Sequence, residues 1–540
     1  MMSIRRRTFP IVLALILVLS VFGAFEITGA QGINDPKLAP FDPPVTMAFG
    51  WNESSTVKYG DGESMTDNRW ITKYREELGI NIEFAWYAPT EQYWDKVNVV
   101  IATGDIPDVM KVNAVQLAKL VDSDLVADDL QAVFDEYVTP TQLLDYQNVG
   151  TTETFNAATF DGKLRAIPFT YSAPGQGVQC MVYRRDWLDA IGALPAKTFD
   201  ELLEIYDQWA DMDFDGDGVA NTVMYFADNT LGSLKRLSWC FGAYPEFWLE
   251  RDGALVYGSV VPEVKDALIR FNDMYAKGYL DPEFVVKDGA KASELFTQNR
   301  IGTIVDLAAP GGAANLIQSV EGAEYDCYPL PTATDGPAKP IMPSSGNEFY
   351  AVSKSFAYPE ALIKMFCYQT EAFYGPDSTK EFYTEYCQDF TTGLAPFGWG
   401  PWFNVSVEKN YRSYTKYKNG EFDTLNPEQE WIWDSVEAYA NGDKNAWWMA
   451  RFFDINKGGH YLVLDSTLAS GDYLLDAFYG APLESMVEYK TEVDRIFDEM
   501  MTKIITGDAP IDDFDKYVDQ MNRAGLATIT EDVNAWYQSR

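Results

Sequence analysis

Apolar residues recur with two different periods along residues 45–112. These periods predict a strand at 45–49, a helix at 66–78, a strand at 80–86, a helix at 92–103 and a strand at 108–112. The first helix places Trp70, Tyr74 and Leu78 on one face and ends at Gly79. Strands that alternate with helices predict a parallel sheet covered by helices, and ligands bind such sheets beyond the carboxyl ends of the strands.

The same alternation restarts after Pro168 and predicts a second α/β unit. Thr198 and Glu201 have the spacing of a capping box, which begins a helix. From about Pro359 the pattern is mostly helical, with aromatic-rich loops. We therefore expect an α/β protein of two lobes, one formed by 43–167 plus 305–350 and the other by 168–304 plus 351–540.

An acidic loop follows the helix that begins at Thr198. Oxygen-bearing side chains occupy its first, third, fifth and ninth positions, and glycine occupies the sixth. This spacing wraps a loop around Ca²⁺, although Met224 replaces the usual acid at the twelfth position. The alternative is a plain acidic turn. The predicted ligands are the side chains of Asp213, Asp215, Asp217 and Asn221, the carbonyl of Val219 and, as an optional further ligand, Thr222.

The amino terminus has the layout of a secretory signal. Arg5, Arg6 and Arg7 precede an apolar run at 11–25, and cleavage after Ala30 fits the preference for small residues. An uncleaved membrane anchor is the alternative, but the run is shorter than the roughly 20 residues that span a bilayer. We predict a signal peptide at 1–30 and export to the periplasm or the extracellular cell surface.

Composition excludes several classes of function. The 540 residues carry 81 acidic and 42 basic side chains, and the net charge of −39 argues against nucleic acid as a partner. The chain has one histidine, His460, so the histidine ligands of a zinc site and the base of a Ser-His-Asp triad are almost absent. No catalytic residues are predicted. The 15 Trp and 32 Tyr suit stacking on sugar rings.

Two kinds of aromatic position are candidates for such stacking. Trp51, with Asn52 beside it, directly follows the first predicted strand, so the pair either lines a cleft or packs at the end of the strand. Trp239 and Trp399 lie in loops near glycine and either stack on a ligand or pack in the core.

An ordered set of short segments resembles bacterial extracellular solute-binding proteins of family 1, the maltose-binding type. The segments are IATGDIPDV (101–109), DGKLRAIP (161–168), YRRDWL (183–188), KTFDEL (197–202), KGYLDPE (277–283) and NRIGT (299–303). The acidic loop and the tail segments FYGAP (478–482) and IITGDAPIDDFD (504–515) resemble the large oligosaccharide-importing branch that includes the alginate-oligosaccharide binders.

This resemblance implies a type II periplasmic-binding-protein fold, with a cleft between two lobes and a helical carboxyl-terminal extension. It implies a monomer that captures an oligosaccharide and delivers it to an ABC-transporter permease, with structural Ca²⁺ in the acidic loop. It also implies polar ligand contacts at Asn113 and Gln116, after the third strand, and at Tyr171 and Ser172, after the crossover strand. The chain departs from the branch where Thr222 replaces an acid, and no lipid-anchoring Cys follows the signal.

A second class of function remains open. A secreted carbohydrate-active enzyme with a Trp-lined cleft, such as a two-carboxylate glycoside hydrolase or a lyase, would share the composition. The ordered segments favour a binding protein without enzymatic activity. Steady formation of product from a sugar would distinguish the two classes.

Overall fold

The computed structural model describes residues 33, 35–53, 59–148, 155–169, 178–307, 313–342, 348–386, 425, 427–453, 459–480 and 482–539. The predicted signal segment 1–30 lies outside these ranges. Within them, no helix combines the length and the apolar character needed to cross a bilayer.

The described residues form fifteen strands and nineteen α-helices. The strands are β1 (Val45–Glu53), β2 (Ile80–Pro89), β3 (Val109–Asn113), β4 (Thr159–Phe160), β5 (Lys163–Leu164), β6 (Ala166–Phe169), β7 (Cys180–Arg184), β8 (Val223–Tyr225), β9 (Trp248–Arg251), β10 (Ala254–Tyr257), β11 (Ile301–Asp306), β12 (Tyr325–Tyr328), β13 (Ile341–Met342), β14 (Glu348–Val352) and β15 (Leu474–Leu475).

The helices are α1 (Arg69–Leu78), α2 (Thr90–Thr103), α3 (Ala114–Asp122), α4 (Gln131–Tyr137), α5 (Pro140–Asn148), α6 (Arg185–Ile191), α7 (Phe199–Trp209), α8 (Gly232–Leu237), α9 (Glu263–Ala276), α10 (Gly289–Thr297), α11 (Ala313–Ser319), α12 (Glu360–Tyr374), α13 (Lys380–Tyr386), α14 (Pro427–Ala440), α15 (Trp447–Phe453), α16 (His460–Ser470), α17 (Glu484–Thr506), α18 (Phe514–Met521) and α19 (Ala527–Ser539).

The first lobe is built on a five-stranded sheet with the order β2-β1-β3-β14-β6. β1 pairs in parallel with β2 and with β3, which confirms the parallel arrangement expected from the strand–helix alternation. β14 is antiparallel to both of its neighbours and lies between β3 and β6. A strand that is distant in sequence therefore joins the edge strand β6 to the rest of this sheet.

Helix α1 shows how local sequence sets the ends of an element. The side chain of Asn68 accepts hydrogen bonds from two backbone N–H groups of the first turn. Trp70, Tyr74 and Leu78 are buried against the sheet, as their spacing predicted. The helix ends at Gly79, where φ is +65° and a Cβ would lie 2.5 Å from the carbonyl oxygen of Phe41. Only glycine accommodates both the backbone angle and this contact.

The second lobe is built on a four-stranded sheet with the order β12-β7-β11-β8. β7 is antiparallel to both β11 and β12, and β8 is parallel to β11. The capping box predicted at Thr198 and Glu201 is present and begins α7. At Gly302 on β11, a Cβ would lie 2.7 Å from the ring of Trp209, so the indole packs directly on the strand backbone.

The carboxyl-terminal region is helical, as predicted. α17 packs along α9 and buries Val493, Phe497 and Ile504 against it. α18 and α19 follow and complete the same core, to which Phe514 and Val533 contribute. This region extends the second lobe.

Strand pairing divides the chain between the lobes differently from the predicted ranges. β12 and α11, which lie within 305–350, belong to the second sheet and its core. β14 and α12 belong to the first sheet and its core, although most of this stretch was assigned to 351–540. The chain therefore returns to the first lobe between Met342 and Glu348, not near Ile304. Local periodicity identifies these elements but carries no information on their pairing partners.

Helix α14 contacts both lobes. Ile432 and Trp433 are buried in the second-lobe core. On the other side, Lys380 of α13 lies 3.2 Å from a carboxylate oxygen of Glu430 and 3.4 Å from one of Asp434. This helix is a physical connection between the lobes in addition to the chain crossings.

Candidate functional site

Four strand ends meet at one edge of the first sheet, which we call the first-sheet edge and define by Glu53, Asn113, Phe169 and Glu348. β1, β3 and β6 run in the same direction and end there, and the antiparallel β14 begins there. Glu348 is opposite Asn113 on one side and Phe169 on the other. The next described residue after Phe169 is Val178, which belongs to the second-lobe core, so a ligand between the lobes would lie at this edge of the first lobe.

Trp51 and Asn52 lie at this edge, but within the last residues of β1 rather than after the strand, because β1 extends to Glu53 and not only to residue 49. Both side chains are partly exposed. The Trp51 ring packs edge-on against Phe49 with a centroid separation of 6.4 Å. The hydroxyl of Thr90 donates a hydrogen bond of 2.9 Å to Oδ1 of Asn52 and orients the amide. The pair has the location and the exposure that a ligand contact requires.

Asn113 and Gln116 form the amino-terminal cap of α3. Oδ1 of Asn113 accepts from the backbone N–H of Gln116, and Oε1 of Gln116 accepts from the backbone N–H of Asn113. Nε2 of Gln116 donates to the carbonyl of Trp94 and to Oδ1 of Asn98. Gln116 is 2 % exposed, so its amide is committed to the fold, whereas Asn113 remains partly exposed. The ligand contacts predicted for this pair remain a prediction, and the capping role is a feature that sequence reasoning missed.

The first-sheet edge also carries an ion pair that sequence reasoning missed. Nζ of Lys111 lies 2.7 Å from a carboxylate oxygen of Glu348, and both side chains are partly exposed. The lysine nitrogen also lies 4.9 Å from the ring centre of Phe169 and 5.9 Å from that of Trp94. The available signal was a lysine at the centre of the apolar strand 109–113, because a charged residue there needs a specific partner.

The remaining predicted ligand residues fall into two groups. Trp239 is 5 % exposed and packs in the second-lobe core, edge-on to Phe247 at 6.4 Å. This placement is the core alternative for Trp239 and leaves its ring unavailable for stacking on a sugar. Tyr171, Ser172 and Trp399 lie outside the described residues.

The second lobe has a corresponding edge where β7 begins and where β11 and β12 end. Burial raises the pKa of Asp306, the last residue of β11, while the nearby guanidinium of Arg236 opposes this increase. A cavity of about 580 Å³ lies beside the start of β7 and the end of β12 and is lined in part by Gln179, Tyr328 and Ser466. The second lobe thus offers a concave, largely apolar surface near the crossing from the first lobe.

The acidic loop connects α7 to β8, and its carboxylates converge. One oxygen of each of Asp213, Asp215 and Asp217 lies within 4.8 Å of the others. The backbone N–H groups of Gly216 and Gly218 donate to the two carboxylate oxygens of Asp213 at 2.7 and 2.8 Å. The loop is therefore prefolded with three negative groups directed to one point.

Protonation equilibria in the loop reflect this crowding. Hydrogen bonds from backbone N–H groups, first that of Gly218, lower the pKa of Asp213. Partial burial, together with the charges of Asp213 and Asp217, raises the pKa of Asp215. A cation placed among the three carboxylates would remove the repulsion that raises the pKa of Asp215.

The residues of the loop fit a hard cation such as Ca²⁺. Nδ2 of Asn221 donates to Asp217 at 2.9 Å, while Oδ1 of Asn221 is buried without a hydrogen-bond partner. An unpartnered amide oxygen in a loop with three converging carboxylates is a ligand of the type Ca²⁺ prefers. The Val219 carbonyl accepts from the Asn221 backbone N–H, and the Thr222 hydroxyl donates to the carbonyl of Met212.

The loop is fixed to the second-lobe core through Phe214, which lies between two of the acidic residues. Its ring stacks on Trp187 with a centroid separation of 4.0 Å and an interplanar angle of 8°. The side-chain amide of Asn299 donates to the Phe214 carbonyl. These contacts anchor the loop to the core around Trp187.

A family model described as bacterial extracellular solute-binding protein matches residues 69–373. The chain belongs to this family. The match includes strands of both sheets, and it confirms the family inferred from the ordered sequence segments. Members of this family bind solutes, and the extracellular assignment places the protein outside the cytoplasm after export.

Two curated relatives from Bacillus subtilis (strain 168) align with nearly the whole chain. Lipoprotein LipO is 25 % identical over 503 residues, covering 88 % of this chain and 90 % of LipO. The polygalacturonan/rhamnogalacturonan-binding protein YtcQ is 22 % identical over 539 residues, covering 96 % of this chain and 97 % of YtcQ.

Two solved structures share the fold. The alginate-binding protein AlgQ2 without calcium ion superposes with a TM-score of 0.61 at 15 % identity, covering 93 % of this chain and 99 % of AlgQ2. The S. pneumoniae ABC-transporter substrate-binding protein FusA in complex with kestose superposes with a TM-score of 0.60 at 14 % identity, covering 92 % of this chain and 99 % of FusA. These similarities confirm the two-lobed type II fold with a helical carboxyl-terminal part.

Proposed function

We propose that the protein captures an oligosaccharide of a few units between its lobes and delivers it to an ABC-transporter permease. The observation that carries this proposal is the first-sheet edge, where Trp51, Asn52 and Asn113 combine aromatic and polar groups. A sugar ring has apolar C–H faces and a polar rim, so aromatic platforms with polar neighbours suit both surfaces. Polygalacturonan/rhamnogalacturonan, alginate and kestose in the names of relatives support a carbohydrate ligand.

Transport by such a protein requires a change of shape on binding. Closure of the two lobes buries the sugar, and the closed form is stabilised by contacts that only this form makes. Helix α14 contacts both lobes and limits the directions in which one lobe rotates against the other. The permease then distinguishes the loaded protein from the empty one by shape.

We further propose that Asp213, Asp215, Asp217 and Asn221, with the Val219 carbonyl, bind a structural Ca²⁺. The buried Oδ1 of Asn221 and the converging carboxylates support this proposal. The cation stabilises the second lobe by mass action and takes no part in sugar chemistry. Thr222 is an indirect contributor, since its hydroxyl is directed to the Met212 carbonyl.

We propose that the protein works as a monomer, outside the cytoplasm at the periplasm or cell surface, after removal of residues 1–30. The apolar run at 11–25 behind three arginines supports the signal. The revised lobes are 35–169 with 348–386, and 178–342 with 425–539. These ranges follow the pairing of β12 and β14.

Binding and turnover are tested on the same sample. A thermal-shift screen of uncharged and acidic oligosaccharides identifies ligands that raise the melting temperature, and calorimetry then gives their Kd. Chromatography of the incubated sugars measures product formation. Binding without product supports the proposal, whereas steady product release would support a carbohydrate-active enzyme instead. A screen without any binder would refute the sugar ligand.

A further inference from the structure

Lys111 is held firmly at the first-sheet edge and yet remains accessible. Its side chain is 21 % exposed and that of Glu348 is 31 % exposed. The Phe169 ring, 4.9 Å from the lysine nitrogen, and the Trp94 ring limit the conformations of the lysine. Loss of side-chain freedom, which opposes binding by a flexible lysine, has therefore already occurred in the folded protein.

The chemistry of the pair matches a hydroxyl group. A lysine ammonium has three N–H donors, and the Glu348 contact at 2.7 Å uses one of them. A carboxylate accepts hydrogen bonds only. A sugar hydroxyl both donates and accepts, so one hydroxyl or two adjacent ones can accept from Lys111 and donate to Glu348.

The same pair disfavours an anionic sugar. Glu348 neutralises the charge of Lys111, and Glu53 ends the neighbouring β1 at the same edge. A uronate carboxylate placed against Lys111 would lie close to the Glu348 carboxylate. Like charges a few ångströms apart repel strongly where water is partly excluded.

We infer that Lys111 and Glu348 form a subsite that binds hydroxyl groups of an uncharged sugar, and that the Glu348 carboxylate excludes uronates from this subsite. The inference rests on the proposed function and specifies its substrate class. Lys111 donates hydrogen bonds to the sugar, and Glu348 accepts hydrogen bonds from it and repels uronates. Replacement of Glu348 by an uncharged isostere leaves the lysine charge available to an acidic sugar.

The test uses the full mature chain and calorimetry. The ligands are maltotriose, galactotriose and kestose, together with trigalacturonate and its uncharged methyl ester. We expect the wild-type protein to bind uncharged ligands and to prefer the methyl ester over trigalacturonate. In Glu348→Gln, uncharged ligands should weaken about tenfold through the lost charged hydrogen bond, and trigalacturonate should bind at least about tenfold more tightly than before.

Two further variants separate recognition from folding. Lys111→Met should abolish the gain that Glu348→Gln gives for trigalacturonate when the two are combined. Lys354→Met is the matched control, because Lys354 pairs with Asp124 at 2.8 Å just beyond the other end of β14. This variant removes the ion pairs of Lys354 with Asp124 and Asp128 away from the first-sheet edge and should leave every Kd unchanged. Melting temperatures verify that each variant is folded.

The possible results separate three claims, namely the exclusion of uronates, the Lys111–Glu348 subsite and the sugar-binding function. Tighter wild-type binding of trigalacturonate than of its methyl ester would overturn the exclusion of uronates. Equal affinities of wild type and Glu348→Gln for every ligand that binds would overturn the subsite while leaving the sugar-binding function intact. Failure of all five ligands and of the wider oligosaccharide screen would overturn the proposed function, and this inference with it.

Discussion

His460 is the single histidine of the chain, and its surroundings predict a measurable loss of stability in acid. The side chain is fully buried, and Nε2 lies 2.7 Å from the carbonyl of Val178, so the neutral ring donates there. Nδ1 is buried without a hydrogen-bond partner. Burial, with a smaller contribution from the nearby Arg451, lowers the pKa of His460 from 6.5 to about 4.

The sign and the size of the effect follow from linkage. Between pH 6.5 and pH 4 the unfolded chain binds a proton at this position and the folded protein does not, so acid favours unfolding. A pKa lowered from 6.5 to about 4 corresponds to roughly 3 kcal/mol, since each pKa unit is about 1.4 kcal/mol. This stability is fully present above pH 6.5 and is lost as the pH falls to about 4.

A second buried group acts in the opposite direction. Burial raises the pKa of Asp476 to about 6, although backbone N–H groups of Trp248 and Phe478 donate to its carboxylate. Its contribution is present below pH 3.8 and is lost as the pH rises to about 6. The pH dependence of the wild type alone therefore does not isolate the histidine.

His460→Gln isolates it, because glutamine retains an N–H donor for Val178 and has no charge to gain. Urea unfolding of both proteins between pH 7 and pH 4.5 should show the wild type losing about 2 kcal/mol or more relative to the variant. In NMR spectra the single imidazole should keep its neutral chemical shift throughout this range. A resonance that titrates near pH 6.5, or equal pH slopes for the two proteins, would refute the reasoning.

Three further results are expected. Ca²⁺ at a hundredfold excess over its Kd should raise the free energy of unfolding by about 3 kcal/mol. Asp215→Asn should remove most of this gain. A melting temperature that a chelator does not change would show that the loop is a plain acidic turn. Trp51→Ala should weaken sugar binding about tenfold without a change in melting temperature. Trp239→Ala should lower the melting temperature, because it leaves a cavity in the core. An unchanged calorimetric affinity of Trp51→Ala for the sugar would show that Trp51 does not contact the ligand. Gly302→Ala should destabilise by about 1–3 kcal/mol through its clash with Trp209, while Gly336→Ala, with open space around it, should be neutral in the same unfolding assay.

The helix ends and the loop spacing could be predicted from the sequence because they depend on neighbouring residues. The αL glycine after α1, the capping box of α7 and the oxygen spacing of the acidic loop each depend on residues within one or two turns. The parallel β1–β2 and β1–β3 pairs followed from connections that leave little topological choice. The family followed from the order of many short segments, each of which is weak alone.

Features that depend on partners distant in sequence were not determined by local patterns. The burial of Trp239 depends on Phe247 and on packing from several helices, which no window around residue 239 shows. Gln116 was expected to contact a ligand, but its amide donates to Trp94 and Asn98 of the preceding helix. Lys111 was overlooked because its partner Glu348 is on β14, whose place in the first sheet no local pattern reveals.

The position of β14 also governs how the protein reaches its folded form. In the first sheet β6 pairs with β14 alone, and β3 is flanked by β14 on one side. During synthesis from the amino terminus, β6 is completed at Phe169 roughly 180 residues before β14 begins at Glu348. At a synthesis rate of about 5–20 residues per second, this separation corresponds to about ten to forty seconds. During that interval β3 exposes an unpaired edge, which is a template for aggregation. All four strands of the second sheet precede β14 in the chain, so the first sheet lacks an interior strand until after the second sheet has been synthesised.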